Sequence, residues 1–262
     1  MPLSFTSFAI VGAGTIGRPI AQSLSTKGVS VVVLSHSEGK SVDGIKTVVV
    51  NTSDVNAVSK ALKDHKVEVV ISTLGQAGII AVQSIIAEGS RAAGVKLFVP
   101  SEWGMPTHGY TNGLFKVKVD QLAYIQSLGL ATVVIYVGYF MGTVRSPTAF
   151  DINGKVNIVG NIAATGSFTA ESDAASFTAH ILTTLPPYQL ANKVFRIEGQ
   201  HGSMIDVATA LKTTVVKDLL LERAVLDGTK PEGLRVGDRL LLGVLTTSGP
   251  GTFGRHWQRE SA

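Results

Sequence analysis

The chain has 262 residues, 45% hydrophobic and 16% charged, which excludes an intrinsically disordered protein. At about 150 residues per domain, this length fits one large domain or one with a smaller lobe. The 23 Lys and Arg against 19 Asp and Glu leave a net charge of +4 without any dense basic tract, so neither nucleic acid nor a membrane surface is expected as a partner. There is no cysteine, so disulfides, thiolate nucleophiles and zinc–cysteine sites are out. That usage fits a cytoplasmic protein. The first ten residues lack the charged and apolar regions of a signal peptide. No apolar run approaches the roughly 20 residues that span a bilayer. Six scattered histidines, none at HExxH spacing, give no reason to expect a metal.

In chain order, short β-branched runs alternate with longer amphipathic stretches. Residues 8–11 read as a buried strand and 16–27 as a helix stopped by Gly28. Strands are expected at 31–34, 47–50, 67–72, 95–99 (ended by Pro100) and 132–137. Helices are expected at 54–64 with Asp54 as N-cap, at 79–93 stopped by Gly94, and at 114–128 stopped by Gly129. Strands this apolar are covered on both faces, as in parallel sheets, and their alternation with helices implies right-handed crossovers. The first part of the chain is therefore expected to be a doubly wound α/β domain, over residues 1–140. A smaller substrate lobe is expected over 141–262, with segments returning to the core. Residues 142–170 read as loop or short hairpin, 171–185 as a helix ended by Pro186 and Pro187, 194–197 as a strand and 203–216 as a helix. Period alone leaves 219–226 open between strand and helix. Residues 231–245 read as helix, and the glycine-rich tail from Thr246 as irregular.

The sharpest local signal is Gly12-Ala13-Gly14-Thr15-Ile16-Gly17. It follows the first strand and opens the first helix, which is the context that gives GxGxxG its meaning in a Rossmann-type fold. Gly12 permits a tight turn, Gly14 lets a pyrophosphate reach the backbone, and Gly17 allows close helix–strand packing. Amides of Thr15 and Ile16 and the helix dipole then attract the anion. An NAD site carries Asp or Glu at the end of the second strand, for the ribose 2′-OH. Here that end reads Ser35-His36-Ser37, without a carboxylate. A 2′-phosphate would meet Ser35, Ser37 and Lys40, and His36 is placed to stack on adenine or to stand free in the loop. NADP(H) is the expected cofactor; Glu38, one register step away, is the feature that favours NAD. Further cofactor contacts are expected from Thr73, Leu74, Gly75 and Gln76, beyond the carboxyl end of the next central strand, and from Ser101. Turn chemistry alone would also favour Gly and Thr there.

Several features then come in order: GAGTIG, Val70-Ile71-Ser72-Thr73, Lys96-Leu97-Phe98-Val99-Pro100-Ser101-Glu102-Trp103-Gly104, and Phe115-Lys116-Val117-Lys118. The third is close to V-K-R-F-x-P-S-E-F-G. Together they resemble the NmrA-like and isoflavone-reductase-like branch of the atypical short-chain dehydrogenases, well over residues 5–145 and more loosely at 168–185 and 194–211. The resemblance implies an active-site lysine on a helix, without the YxxxK pair of ordinary members. Counting back eleven residues from Gly129 aligns it with Lys118, and Leu114 stands where the tyrosine would be. By residue type alone, Lys116 and Lys118 read as solvated helix lysines; the resemblance singles out Lys118, as general acid or base or as an orienting group at the nicotinamide ribose.

The activity implied is NADPH-dependent hydride transfer to a small, largely apolar substrate: an enone, quinone, carbonyl or benzylic ether. Trp103, Met105, Tyr139, Phe140 and Met141 are the expected apolar walls, with His108 as an auxiliary acid or a plain loop residue. The chain is shorter than the plant enzymes, so a reduced substrate lobe is expected. The same branch includes dinucleotide sensors that regulate without catalysis, which is the alternative; retention of Lys118 favours the enzyme.

Overall fold

A computed structural model describes residues 4–217 except 38–41, 43, 147, 149, 159, 160 and 162. The elements expected at 219–226 and 231–245, and the tail, lie outside the described residues. The chain runs β1 (Ser7–Val11), α1 (Gly17–Ser25), β2 (Ser30–Ser35), β3 (Lys46–Val49), α2 (Val55–Asp64), β4 (Val69–Ser72), α3 (Gln76–Ala93), β5 (Leu97–Val99), α4 (Gly113–Ser127) and β6 (Val133–Tyr136). It continues through β7 (Tyr139–Phe140), a 3-10 turn (Met141–Thr143), α5 (Phe150–Asn153), β8 (Val156–Ile158), β9 (Thr165–Thr169), α6 (Glu171–Thr184), α7 (Pro187–Leu190), β10 (Lys193–Arg196), β11 (Gln200–Ser203), α8 (Met204–Ala210) and β12 (Val215–Lys217).

The main sheet is parallel, in the order β3-β2-β1-β4-β5. Phe98 then bridges to Thr132, and β6 pairs in parallel with β10. Chain order reverses at β1, which has β2 on one side and β4 on the other. That is the switch point at which doubly wound sheets bind ligands, beyond the carboxyl ends of the strands. The apolar runs explain the arrangement. Phe8–Val11 and Val69–Ser72 are buried throughout, so both faces need a cover of helices. Val58, Leu62 and Ile86 of the helices pack with Val11, Val70 and Phe98 of the strands into one core. Asp54 caps α2, accepting from the amides of Asn56 at 2.8 Å and Ala57 at 3.3 Å. Helix α3 begins at Gln76, three residues earlier than its apolar period suggests, and ends at left-handed Gly94.

The chain divides into two compact units. The first comprises Met1–Trp103, Val117–Tyr136 and Glu171–Ile197; the second comprises Gly104–Lys116, Val137–Ala170 and the residues from Glu198 on. The expected division was 1–140 against 141–262 with segments returning to the core; here 171–197 belong to the first unit and 104–116 to the second. Within the second unit, β11-β9-β7 form one small sheet and β12-β8 another.

Two expectations are corrected. The 203–216 stretch is not one helix: α8 stops at Ala210, Lys212 turns with positive φ, and the β-branched residues that follow form β12. Residues 142–170 are not a loop or local hairpin. They hold α5, β8 and β9, whose partners are β12, β7 and β11.

Candidate active site

The glycine turn is built from main chain. Gly12 has φ +97, the left-handed region that only glycine enters freely. A Cβ on Gly17 would collide with the Gly12 carbonyl and the Thr73 hydroxyl. A Cβ on exposed Gly14 would meet nothing within 4 Å. The three glycines therefore differ in purpose: one bends the chain, one admits α1 to the strand, and one leaves open space over the turn. Thr15 is exposed and Ile16 is buried. The turn is tied to β4 by Thr73, whose hydroxyl donates to the Gly12 carbonyl at 2.6 Å and lies 3.1 Å from that of Val11. The amide of Thr73 donates to the Val11 carbonyl at 2.9 Å. A dinucleotide fits this cradle: the space that a side chain would fill is empty, and the turn's amides stand at the start of α1.

At the end of β2, the buried Ser35 hydroxyl donates to the Ser37 carbonyl at 2.8 Å and accepts the Ser37 amide at 3.2 Å. Ser35 thus shapes the turn that carries exposed His36 and half-buried Ser37. Lys40 and Glu38 lie outside the described residues. Beyond β4, Gly75 is exposed, Gln76 opens α3, and the Leu74 carbonyl accepts from the Ser101 hydroxyl at 2.7 Å.

Beyond β5 a buried polar network continues. Gln83 of α3 is its hub, 2% exposed. Its carboxamide oxygen accepts from the Ser72 hydroxyl at 2.8 Å and the Ser101 amide at 2.9 Å. Its nitrogen donates to Gln121 of α4 at 2.7 Å, and Gln121 in turn donates to the Ile79 carbonyl. The Trp103 indole N–H donates to the Ser72 carbonyl at 2.8 Å. Sequence reasoning assigned no role to Gln83 or Gln121; their partners are 11 to 42 residues away, with no local pattern to mark them.

Lys118 is 8% exposed, not the solvated helix lysine that residue type alone suggests. Its Nζ donates to the Glu102 carbonyl at 2.7 Å and lies 3.7 Å from the Glu102 carboxylate, itself 2% exposed. Burial holds the Lys118 ammonium below the ordinary lysine value, and the Glu102 charge and hydrogen bond oppose that shift in part. Three hydrogen bonds, linked through the Ser72–Thr73 and Glu102–Trp103 peptide bonds, thus join the glycine turn to Lys118.

In the second unit, Met105 is half-buried and His108 exposed. Tyr139 stacks on Phe168, ring centroids 5.5 Å apart, and burial pushes its phenol above the ordinary tyrosine value. Phe140 is half-buried and Met141 exposed. No group of three His, Asp or Glu able to hold a metal occurs among the described residues, nor a helix long and apolar enough to cross a membrane.

The NmrA-like family model matches residues 7–225. Eugenol synthase 1 of Petunia hybrida is 30% identical over 190 residues, 64% of this chain and 61% of its own. A phenylcoumaran benzylic ether reductase of Ginkgo biloba is 28% identical over 195 residues, 64% of this chain and 62% of its own. The chain therefore spans less than two thirds of the length of the first curated relatives it matches. An NADPH-dependent quinone oxidoreductase of Escherichia coli, solved with NADPH, shares the fold at a TM-score of 0.73 and 20% identity, over 94% of this chain and 90% of that one.

Proposed function

Because the chain belongs to the NmrA-like family, we propose that it is an NADPH-dependent reductase of small, largely apolar molecules. The observation that carries this reading is an open glycine turn and a buried lysine in one unit, joined by three hydrogen bonds and the two peptide links between them. Relatives named eugenol synthase and phenylcoumaran benzylic ether reductase, and a neighbour solved with NADPH, support it. Gly12, Gly14, Thr15, Ile16 and Gly17 would hold the pyrophosphate. Ser35, His36 and Ser37, none of them a carboxylate, would present the end of β2 to the 2′-phosphate. Thr73 would keep the turn in shape, with Leu74, Gly75, Gln76 and Ser101 along the ribose side. When bound, NADPH supplies a hydride.

The protein's part is to hold a proton for the substrate oxygen. Lys118 has three N–H donors. One goes to Glu102, which aims the ammonium and leaves it donors for a substrate oxygen or a ribose hydroxyl. Met105, His108, Tyr139, Phe140 and Met141 are the substrate contacts proposed in the second unit, where a half-buried Tyr139 stacked on Phe168 suits an aromatic or enone partner better than a charged one.

Consumption of NADPH is followed with quinones, aromatic enones and benzylic ethers, alongside calorimetry of NADPH, NADP+, NADH and NAD+. The expected result is turnover of at least one class and tighter binding of the 2′-phosphorylated forms. Lys118→Met is expected to lower kcat by about 10²–10⁴-fold with the NADPH Kd little changed. Tight binding of nucleotide with no turnover would instead favour a regulator that reads the nucleotide; preference for NAD+ would refute the assignment at Ser35 and His36.

A further inference from the structure

Lys118 is buried on α4, where an unbalanced ammonium is costly. A second buried residue, Glu102, supplies it with both a carbonyl at 2.7 Å and a carboxylate at 3.7 Å. One residue thus touches the ammonium twice, with different consequences. The carbonyl fixes direction. The carboxylate supplies the charge that balances a buried cation, without which burial would favour the neutral amine. We infer that Glu102 is a positioning residue for Lys118, its carboxylate keeping the lysine protonated and its main-chain carbonyl setting where the ammonium points. This inference rests on the reading of Lys118 as the proton source.

The surroundings limit the alternatives. Glu102 is the charged group that acts on Lys118. Strands β5 and β6 bring no ionisable side chain other than Tyr136. Helix α3 brings Glu88 and Arg91, which meet the far end of α4, at Tyr124 and the Leu128 carbonyl. On α4 itself Lys116 and Asp120 flank Lys118 in sequence. The Ser101 amide, one residue before Glu102, is pinned by Gln83, and Gln121, one turn after Lys118, is pinned by the same side chain. Both partners are thereby held in register by one carboxamide.

The test reads the lysine directly. In full-length, cofactor-free protein carrying ¹³C-labelled lysine, the Lys118 Cε resonance is identified by its loss in Lys118→Met and followed against pH. Glu102→Gln keeps the carbonyl and the shape but removes the charge. Its titration midpoint is expected about one pH unit or more below that of the unaltered protein. Glu102→Asp, which retains the charge at a greater distance, is expected to move it less. In turnover, the alkaline limb of kcat should shift to lower pH by the same amount, since a proton donor is lost as pH rises through its own titration. An unmoved midpoint in Glu102→Gln overturns the inference. If that variant does not fold, Glu102→Met, which also removes the charge, takes its place, and an unmoved midpoint there overturns the inference equally. A moved midpoint beside undiminished turnover in Lys118→Met supports the coupling and overturns the proton-source reading on which it was built.

Discussion

Between Val11 and Gly17 the surface offered to a ligand is main chain, and what matters is which side chains are missing. Around Lys118 the surface is made of side chains, and what matters is which distant residues supply them. The turn needs left-handed φ at Gly12, no Cβ at Gly17 and empty space at Gly14, all within six residues. The lysine needs Glu102, Gln83 and Gln121, drawn from a loop and two helices. The first kind of site tolerates no added atoms; the second tolerates no lost partners.

Three substitutions probe that contrast. Gln83→Leu should have the largest effect on the folded state. It leaves the Ser72 hydroxyl and the Ser101 amide buried without their acceptor, at about 1–3 kcal/mol each, so a loss of about 3 kcal/mol is expected in denaturant unfolding. A loss below about 1 kcal/mol would show that the lysine's surroundings do not depend on the hub. Gly14→Asp should act on binding alone. Its new carboxylate points into open space, so the melting temperature should hold while NADPH affinity falls about 100-fold through repulsion of the pyrophosphate. Unchanged affinity would remove the turn from the site. Gly17→Ala should act on stability first, by about 2 kcal/mol, because its Cβ meets a main-chain carbonyl that cannot swing aside. A stable Gly17→Ala would show that α1 can back away from β1.

The same contrast explains what the sequence could reveal. The turn was legible because its determinants are contiguous and each glycine has one physical reason. The strands of the parallel sheet were legible because burial on both faces makes them largely apolar, as at Val69-Val70-Ile71. Lys118 was picked out by the spacing of a family motif, not by its own chemistry; Glu102 was visible as part of that motif but not as its partner. Gln83 was hidden inside an apolar helix, where a lone carboxamide carries no period. The second unit was misjudged where pairing is most distant. Strand β8 is short and finds its partner in β12, nearly sixty residues on, so nothing local marks either. Helix α8 does start where the expected helix began, with Ser203 as its N-cap in a capping box formed with Asp206. The helix then ended where Thr213-Thr214-Val215-Val216 found a strand to pair with.

The hydroxyl of Thr73 also bears on the heat of binding. Because it already fastens the Gly12 carbonyl to the neighbouring strand, the amides that would greet a diphosphate are ordered before any nucleotide arrives. A receptor loop that must freeze on contact loses conformational freedom, which subtracts from affinity. This one has met that expense during folding. Association should therefore carry little entropic penalty from the loop, and its heat-capacity change should reflect the apolar surface covered rather than any coil made rigid.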